Sequence, residues 1–189
     1  RFPGFNEKWT LTSIREECII NPKTPPLSQK FVYIDLESVV KGELTKETIV
    51  KKAAAPSRAK RVLEDRDILF QCVRPYQLNN FLYCKNDNRQ WVASTGYAQL
   101  RTNNNPIFIY YLLCQSQFNM QVMIRCTGTS YPSISGSDLG NIPISICSEK
   151  EQEKIGLLLS SIDGRLKIAK LLSKQYQIQK KHLLQNLFI

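Results

Sequence analysis

The stretch Ser148–Ile189 reads SEKEQEKIGLLLSSIDGRLKIAKLLSKQYQIQKKHLLQNLFI, and it constrains how the rest of the chain is arranged. It contains no proline, and its apolar residues recur at the spacing of one face of an α-helix. Ser148 followed by Glu151 predicts a capping box at the helix start, and Lys180 and Lys181 suit the negative end of the helix dipole. The apolar stripe comprises Ile155, Leu158, Leu159, Ile162, Leu166, Ala169, Leu172, Tyr176, Leu183 and Leu187.

A helix over residues 148–189 would be roughly 60 Å long at about 1.5 Å per residue. A single domain of this size cannot cover so long a stripe. We therefore expect much of the stripe to pair with another helix or chain, as a spacer or dimerisation arm. The alternative is a packed core helix, whose stripe would be buried against the rest of the chain.

The chain has 189 residues and a formal net charge of +10, from 26 Lys and Arg against 16 Asp and Glu. Residues 148–189 hold 8 basic and 4 acidic residues, so residues 1–147 hold the remaining 18 and 12. The excess is therefore not confined to a basic tail. A folded domain that is basic and contains aromatic residues suggests a polyanionic partner, and nucleic acid is the first candidate. Many proteins, however, are basic without such a partner. With no run of eighteen apolar residues and no signal-peptide pattern, we expect no membrane attachment.

Metal and cofactor chemistry finds little support in the residue pattern. The only histidine is His182, on the predicted helix, and no C-x-x-C pair occurs, so we expect no metal site. The glycines form neither a dinucleotide fingerprint nor a P-loop, so no cofactor is expected. The cysteines mostly lie in apolar segments, which favours buried reduced thiols in a cytosolic protein over disulfides. They are Cys18, Cys72, Cys84, Cys114, Cys126 and Cys147.

The remainder of the chain predicts an α+β domain over residues 1–147, followed by the helix over 148–189. A helix is expected from Pro106 to about Met123, capped within residues 102–105. The basic stretch 51–61 (KKAAAPSRAKR) is expected to be a surface loop or short helix, and residues 64–67 and 85–89 are expected to be polar turns. The predicted strands are 31–34, 62–63, 68–73, 81–84, 91–93, 97–101 and 139–147.

Several motifs, in a fixed order and spacing, run through the whole chain. The first group is residues 56–62 (PSRAKRV), 67–69 (DIL) and 73–76 (VRPY), the second is 93–101 (ASTGYAQLR), and the third is 128–130 (GTS), 142–144 (IPI) and 151–155 (EQEKI). With the opening RFPGF and Trp9 and the closing LLQNLF, this order resembles the specificity (S) subunit of type I restriction-modification systems. The sequence departs from the family at Arg66, where a glycine often precedes the Asp-Ile-Leu run.

The resemblance implies a non-catalytic, cytoplasmic recognition subunit that binds double-stranded DNA, two methyltransferase (modification) subunits and a restriction subunit. In the family, a target recognition domain and one long helix form a half-subunit, and two halves pair their helices as an antiparallel coiled coil. This chain contains one half. It is therefore expected to be either a half-subunit that forms a homodimer or part of a longer chain. The alternatives are a coiled-coil adaptor that binds protein and a small nucleic-acid-modifying enzyme.

Sequence readout needs hydrogen-bonding groups at base edges, with others on phosphates. Arginine can pair with guanine, and asparagine or glutamine with adenine. The ordinary alternative for Arg58 and Arg61 is a solvated side chain or one paired with Glu64 and Asp65, and for residues 94–96 it is a plain turn. The candidate DNA-binding residues are Arg58, Lys60, Arg61, Arg74, Tyr76, Gln77, Asn79, Ser94, Thr95, Arg125, Thr129 and Ser130.

Overall fold

The computed structural model describes residues 2–84 and 87–188. They form a mixed α+β structure with a long C-terminal helix, which confirms the predicted fold class. The elements in chain order are β1 (Thr10–Ser13), α1 (Ile14–Glu17), β2 (Cys18–Ile20), β3 (Lys30–Ile34), β4 (Val39–Val40), β5 (Glu43–Leu44), β6 (Thr48–Lys51), β7 (Ala59–Val62), β8 (Ile68–Gln71), β9 (Phe81–Leu82), β10 (Trp91–Ser94), β11 (Tyr97–Thr102), α2 (Pro106–Leu113), α3 (Ser116–Arg125), α4 (Gly136–Gly140), β12 (Pro143–Ile146) and α5 (Glu149–Asn186).

Two four-stranded sheets organise the globular part. The first has the strand order β6-β3-β10-β7, in which β10 runs parallel to β3 and the other pairs are antiparallel. The second has the order β2-β11-β8-β9 and is antiparallel throughout. The short turn at Thr95 and Gly96 carries the chain from β10 of the first sheet directly into β11 of the second. The two sheets therefore meet at this turn.

The apolar core lies between the sheets and on their outer faces. Val32 and Trp91 of the first sheet pack with Leu69 and Tyr97 of the second in one buried cluster. On the other side of the second sheet, α2 and α3 cover β8, where the ring centroids of Phe70 and Phe118 lie 5.9 Å apart in an edge-to-face contact. Because successive strand residues point to opposite faces, β8 serves both clusters and is apolar along most of its length.

A buried carboxylate links the two sheets. Asp67 is fully buried, and its oxygens accept hydrogen bonds from Arg101 Nε at 2.9 Å and from Gln99 Nε2 at 2.6 Å. The same Gln99 amide donates to the backbone oxygen of Val62 at 2.9 Å, which belongs to β7 of the first sheet. The backbone N–H of Glu64 also donates to Asp67, at 2.7 Å. Residues 64–67 are thus a turn, as predicted. Its last residue, Asp67, has a carboxylate that holds the surrounding strands together.

Arg66 occupies a backbone conformation that glycine adopts more readily. Its φ is +65°, in the left-handed region, where a side chain with a Cβ costs roughly 1–2 kcal/mol. This turn leads directly into Asp67, whose carboxylate accepts from Arg101, and into β8. The arginine is therefore accommodated in a glycine-type turn.

The long helix is anchored by its first turns. Ser148 is the N-cap, but its hydroxyl makes no capping hydrogen bond, so the predicted capping box with Glu151 is wrong. Gln152 holds the junction instead: its Nε2 donates to the oxygens of Cys147 (2.9 Å) and Asn104 (3.1 Å), and its Oε1 accepts from the N–H of Asn105 (3.1 Å). A Cβ on the buried Gly156 would lie 3.3 Å from Ile107, so α5 approaches α2 closely one turn later.

Several local predictions were wrong. The stretch 51–61 was predicted as a surface loop or short helix, and it contains a 3-10 helix over Lys52–Ala54 and a loop over residues 55–58, but the prediction missed the strand residues at its two ends, which belong to β6 and β7. The predicted helix from 106 to 123 is two helices, broken at residues 114 and 115, and its cap is Asn105, which accepts from the N–H groups of Ile107 and Phe108. Within the predicted turn 85–89, residues 85 and 86 lie outside the described residues.

Among the cysteines, Cys84 is exposed, whereas burial raises the pKa of the Cys18 and Cys72 thiols to about 11.

We expect Asp67→Ala to lower the free energy of unfolding by about 3–5 kcal/mol, because it leaves Arg101 and Gln99 without their shared acceptor. Asp65→Ala is the matched control, since it removes an exposed carboxylate from the same turn and should change stability by less than about 0.5 kcal/mol. Urea unfolding of both variants measures the difference. Equal effects of the two substitutions would contradict the structural role of Asp67.

Candidate nucleic-acid interface

Four loops that are distant in sequence meet at one end of the two sheets. Thr95 N–H donates to the carbonyl of Arg58 at 2.9 Å, and Cys72 N–H donates to the carbonyl of Gly96 at 2.9 Å. Arg74 N–H donates to the carbonyl of Pro132 at 2.8 Å. We call this region the loop end, which comprises residues 56–60, 72–79, 94–96 and 126–133. All the candidate DNA-binding residues except Arg61 and Arg125 lie in these four segments, and those two border them.

Arg58 and Lys60 form the basic side of the loop end. Both side chains are exposed, and neither forms an ion pair with another residue that the structure describes. Strand β7 contains a β-bulge opposite β10. Arg61 pairs with Ala93 and Ala59 pairs with Ser94, so Lys60 is one extra residue in β7. Such a bulge bends a strand and redirects its side chains, and bulges are common next to functional sites. Thr95 is exposed beside them.

Arg61 lies differently from its two basic neighbours. Its Nε is buried without a hydrogen-bond partner among the described residues, and burial lowers the pKa of the guanidinium. The predicted alternative partner Glu64 is bound to Arg101 instead, at 2.8 Å. Arg61 is therefore half-buried, unlike the exposed Arg58 and Lys60.

Arg74 and Tyr131 form the aromatic side of the loop end. Arg74 Cζ lies 4.3 Å from the centre of the Tyr131 ring, a cation–π contact. Arg74 has φ +54° and ψ +54°, again in the left-handed region. Tyr131 is 63% exposed and the nearby Tyr76 is 50% exposed. The loop end thus presents a held guanidinium with exposed aromatic rings beside it.

Three polar candidates are used within the structure. Ser94 is only 3% exposed, and its hydroxyl accepts from the N–H of Gly96, so its side chain is not available to a phosphate. Asn79 Oδ1 accepts from the N–H of Lys41 at 2.9 Å and thereby supports the β4–β5 hairpin. Gln77 Oε1 accepts from Gln71 Nε2 at 2.8 Å, although Gln77 is exposed. The sequence alone did not reveal this burial or these internal hydrogen bonds.

The loop that follows α3 contributes the remaining candidates. Arg125 Nη1 donates to the backbone oxygen and to the side chain of Gln121, at 2.9 and 2.7 Å, so its guanidinium is held on its own helix. Thr129 and Ser130 are exposed in the loop that carries Tyr131. The structure therefore places their hydroxyls beside the Arg74 contact, while Arg125 lies at the margin.

Three further exposed lysines lie away from the loop end. Lys51 and Lys52 are at the end of β6, and Lys30 is the cross-strand partner of Lys51. Because β3 runs parallel to β10 and Lys30 precedes the residue paired with Trp91, these lysines lie at the opposite end of the first sheet. None of the three forms an ion pair within the described part of the chain.

The helix stripe is exposed beyond the anchor. Ile155 packs partly against the core of its own chain, so it is less available to a partner than predicted. Leu159 is half-buried beside an apolar groove of about 460 Å³ that Phe2 and Trp9 also line. Ala169 is exposed. Leu158, Ile162, Leu166, Leu172, Tyr176, Leu183 and Leu187 are between 43% and 69% exposed.

A second set of exposed apolar side chains lies on the opposite side of α5. Leu157, Ile168, Leu171 and Ile178 are each more than half exposed. Two positions along an α-helix correspond to a rotation of about 200°, so Leu157 points away from Ile155. The spacings of 11, 3 and 7 residues keep these four side chains on one face. The helix is therefore apolar on two opposite faces.

In the described residues, no helix is long and apolar enough to cross a membrane. Nor do those residues contain a cluster of His, Cys, Asp and Glu side chains able to hold a metal ion.

Comparison with known proteins gives a consistent result. Residues 6–179 match the sequence model of the family described as Type I restriction modification DNA specificity domain. Among curated proteins, the chain is similar to the type I restriction enzyme HindI specificity subunit of Haemophilus influenzae, with 22% identity over 142 residues. That match covers 72% of this chain and 31% of the relative.

Solved structures show the same fold. The chain is similar to the HsdS subunit from Thermoanaerobacter tengcongensis, with a TM-score of 0.72 and 26% identity over 94% of this chain and 47% of that one. A chain from a structure of the type I R-M system, described in terms of complex assembly and conformational transition, gives a TM-score of 0.74 and 26% identity over 97% and 48%. The S subunit from M. genitalium, at 20% identity and a TM-score of 0.61 over 99% and 48%, shares the fold. The chain thus spans about half the length of these solved relatives.

Proposed function

This chain belongs to the family of type I restriction-modification DNA specificity domains, and we propose that it is a non-catalytic half-subunit that reads one half of a bipartite DNA target. Residues 1–147 would form the target recognition domain and residues 148–189 the spacer helix. The observation that carries the proposal is the loop end, where Arg58, Lys60, Arg74 and Tyr131 meet without a carboxylate partner for any of the three cations among the described residues.

The two apolar faces of α5 support two kinds of partner. The face of Ile162 and Leu166 would pair antiparallel with the same helix of a second copy. The opposite face, represented by Ile168 and Leu171, would bind the methyltransferase subunits, with the restriction subunit joining that assembly. Exposed apolar surface of this extent is typical of interaction sites. A helix of 38 residues spans roughly 57 Å, enough to separate two recognition domains by more than one DNA turn of about 34 Å.

Methylation in a host free of other modification tests the function directly. The chain is co-expressed with its cognate type I methyltransferase subunit, and methylated motifs are mapped genome-wide. We expect a split motif that is palindromic, because two identical heads related by a twofold axis read identical half-sites. The methyltransferase without this chain is the control and should leave no such motif. A chain that directs no methylation, or a homodimer that yields a non-palindromic motif, would contradict the proposal.

The two helix faces can be separated by matched substitutions. Leu166→Asp should abolish the homodimer and reduce the mass in light scattering towards the 21.8 kDa of one chain, because it places a charge in a pairing interface. Leu171→Asp should leave the dimer intact and weaken capture of the methyltransferase. Each substitution is the control for the other. If both variants lose the dimer, the two faces do not have separate partners.

Phosphate contacts at the loop end should appear in the salt dependence of DNA binding. The logarithm of the affinity falls linearly with the logarithm of the salt concentration, and each lost phosphate contact reduces that slope by about 1. We expect the double variant Arg58→Ala and Lys60→Ala to reduce the slope by about 2 in titrations of the assembled complex. Lys174→Ala, on the long helix, removes a charge elsewhere and should leave the slope unchanged. An unchanged slope in the double variant would remove these residues from the interface.

A further inference from the structure

We infer that Arg74, held against the ring of Tyr131, reads the edge of a guanine in the DNA target, whereas Arg58 and Lys60 bind phosphates. This inference rests on the proposed function and assigns a base-reading residue within it. The fold holds the Arg74 guanidinium in place but leaves the side chains of Arg58 and Lys60 exposed. A guanidinium with a fixed position can discriminate between bases by the geometry of its hydrogen bonds.

The backbone on both sides of Arg74 is fixed. Its N–H donates to the carbonyl of Pro132 at 2.8 Å, and its own carbonyl accepts from the N–H of Gln77 at 3.0 Å. Pro75, which is buried, restricts the chain further. The start of the Arg74 side chain therefore has one position relative to β8, even though it lies in a loop.

The side chain is restrained as well. Its Cζ lies 4.3 Å from the Tyr131 ring centre, and the loop that carries Tyr131 is tied to β8 by the bond from Ile134 N–H to the carbonyl of Cys72, at 3.0 Å. No carboxylate of the described residues forms an ion pair with Arg74. Its N–H donors thus remain available, while the freedom they would lose on binding DNA is already reduced.

Left-handed backbone alone does not single out Arg74, because Arg66 has φ +65° as well. Arg66, however, lies at the opposite end of β8, beside Asp65 at 3.7 Å, and holds no aromatic contact in the described structure. The two arginines flank one strand, in the same backbone conformation. Only Arg74 combines that conformation with an aromatic platform and a place among the converging loops.

The chemistry of the guanidinium favours guanine. Its fork of N–H donors matches the O6 and N7 acceptors of guanine in the major groove, whereas an amide side chain matches the acceptor and donor of adenine. The amide oxygens near Arg74 are already engaged as acceptors, Asn79 Oδ1 from Lys41 N–H and Gln77 Oε1 from Gln71 Nε2, so neither amide can present both its donor and its acceptor to adenine without losing that bond. Arg74 is the guanidinium of the loop end that is held by an aromatic ring and has no ion-pair partner among the described residues.

The test uses the assembled methyltransferase complex, with methylated-motif mapping and DNA titration as readouts. Arg74→Gln should change one position of each half-site, from guanine towards adenine or no preference, and weaken binding to the original target roughly ten- to a hundredfold. Arg74→Gly removes the side chain in a conformation that glycine favours, so it should keep the wild-type melting temperature while losing the same preference. Tyr131→Leu should relax that position too, and Tyr131→Phe, which retains the ring, should not.

Arg66→Gln is the matched control and should leave the motif unchanged. The inference is overturned if Arg74→Gln leaves the motif as it was. It is also overturned if Arg74→Gln weakens all DNA sequences equally and lowers the salt slope by about 1, since that result defines a phosphate contact. Failure of the wild-type chain to direct any methylation is a different result, because it contradicts the proposed function itself.

Discussion

The side chain of Gln152 is the contact on which the arrangement of the molecule depends. It is buried at the base of α5, where it joins three backbone or side-chain groups from Asn104, Asn105 and Cys147. Asn105 in turn caps α2, so one network fixes the ends of both helices. Further along α5, Tyr111 donates to Asp163 at 2.8 Å and continues the attachment. The long helix therefore leaves the globular part in a defined direction, and a rigid spacer is possible only because of that anchor.

The loop end is positioned by a second buried network on the opposite side of the core. Asp67 ties β8 and β11 to the end of β7, and these three strands lead into the loops that carry Arg74, Thr95 and Arg58. Polar groups in a low-dielectric interior are costly unless they are paired, and both oxygens of Asp67 and the amide nitrogen of Gln99 are paired, although Gln99 Oε1 has no partner among the described residues. The network therefore specifies one relative placement of the two sheets. Loops that stand on both sheets keep a fixed geometry for the same reason.

The strongly periodic parts of the sequence were predictable from the sequence alone. The stripe of α5 and the apolar run of β8 were predicted because the spacing of apolar residues is regular in both segments. The strand β7 was not, since it lies at a sheet edge and contains Lys60 and Arg61, residues that sequence reasoning assigns to loops. The break between α2 and α3 also had no signal in the form of a glycine or proline. For the candidate site, the sequence indicated segments that the structure brings together at the loop end, and their role in DNA binding stays a prediction. It could not show that Ser94 is buried or that Asn79 is engaged, because both depend on the folded arrangement.

These internal bonds limit how one loop end can bind DNA. Ser94 and Asn79 are used in holding the loops, whereas Arg58, Lys60 and Arg74 have no ion-pair partner among the described residues. Cations on phosphates supply affinity without sequence preference, and few base contacts remain for discrimination. One recognition domain would therefore bind weakly and read a short half-site. Under the proposed function, two domains at the ends of paired helices would convert the second contact into an intramolecular one, which would multiply the affinity only when the half-sites match the separation that the helices set. A firmly anchored spacer would thus add specificity for distance to the limited specificity of each domain.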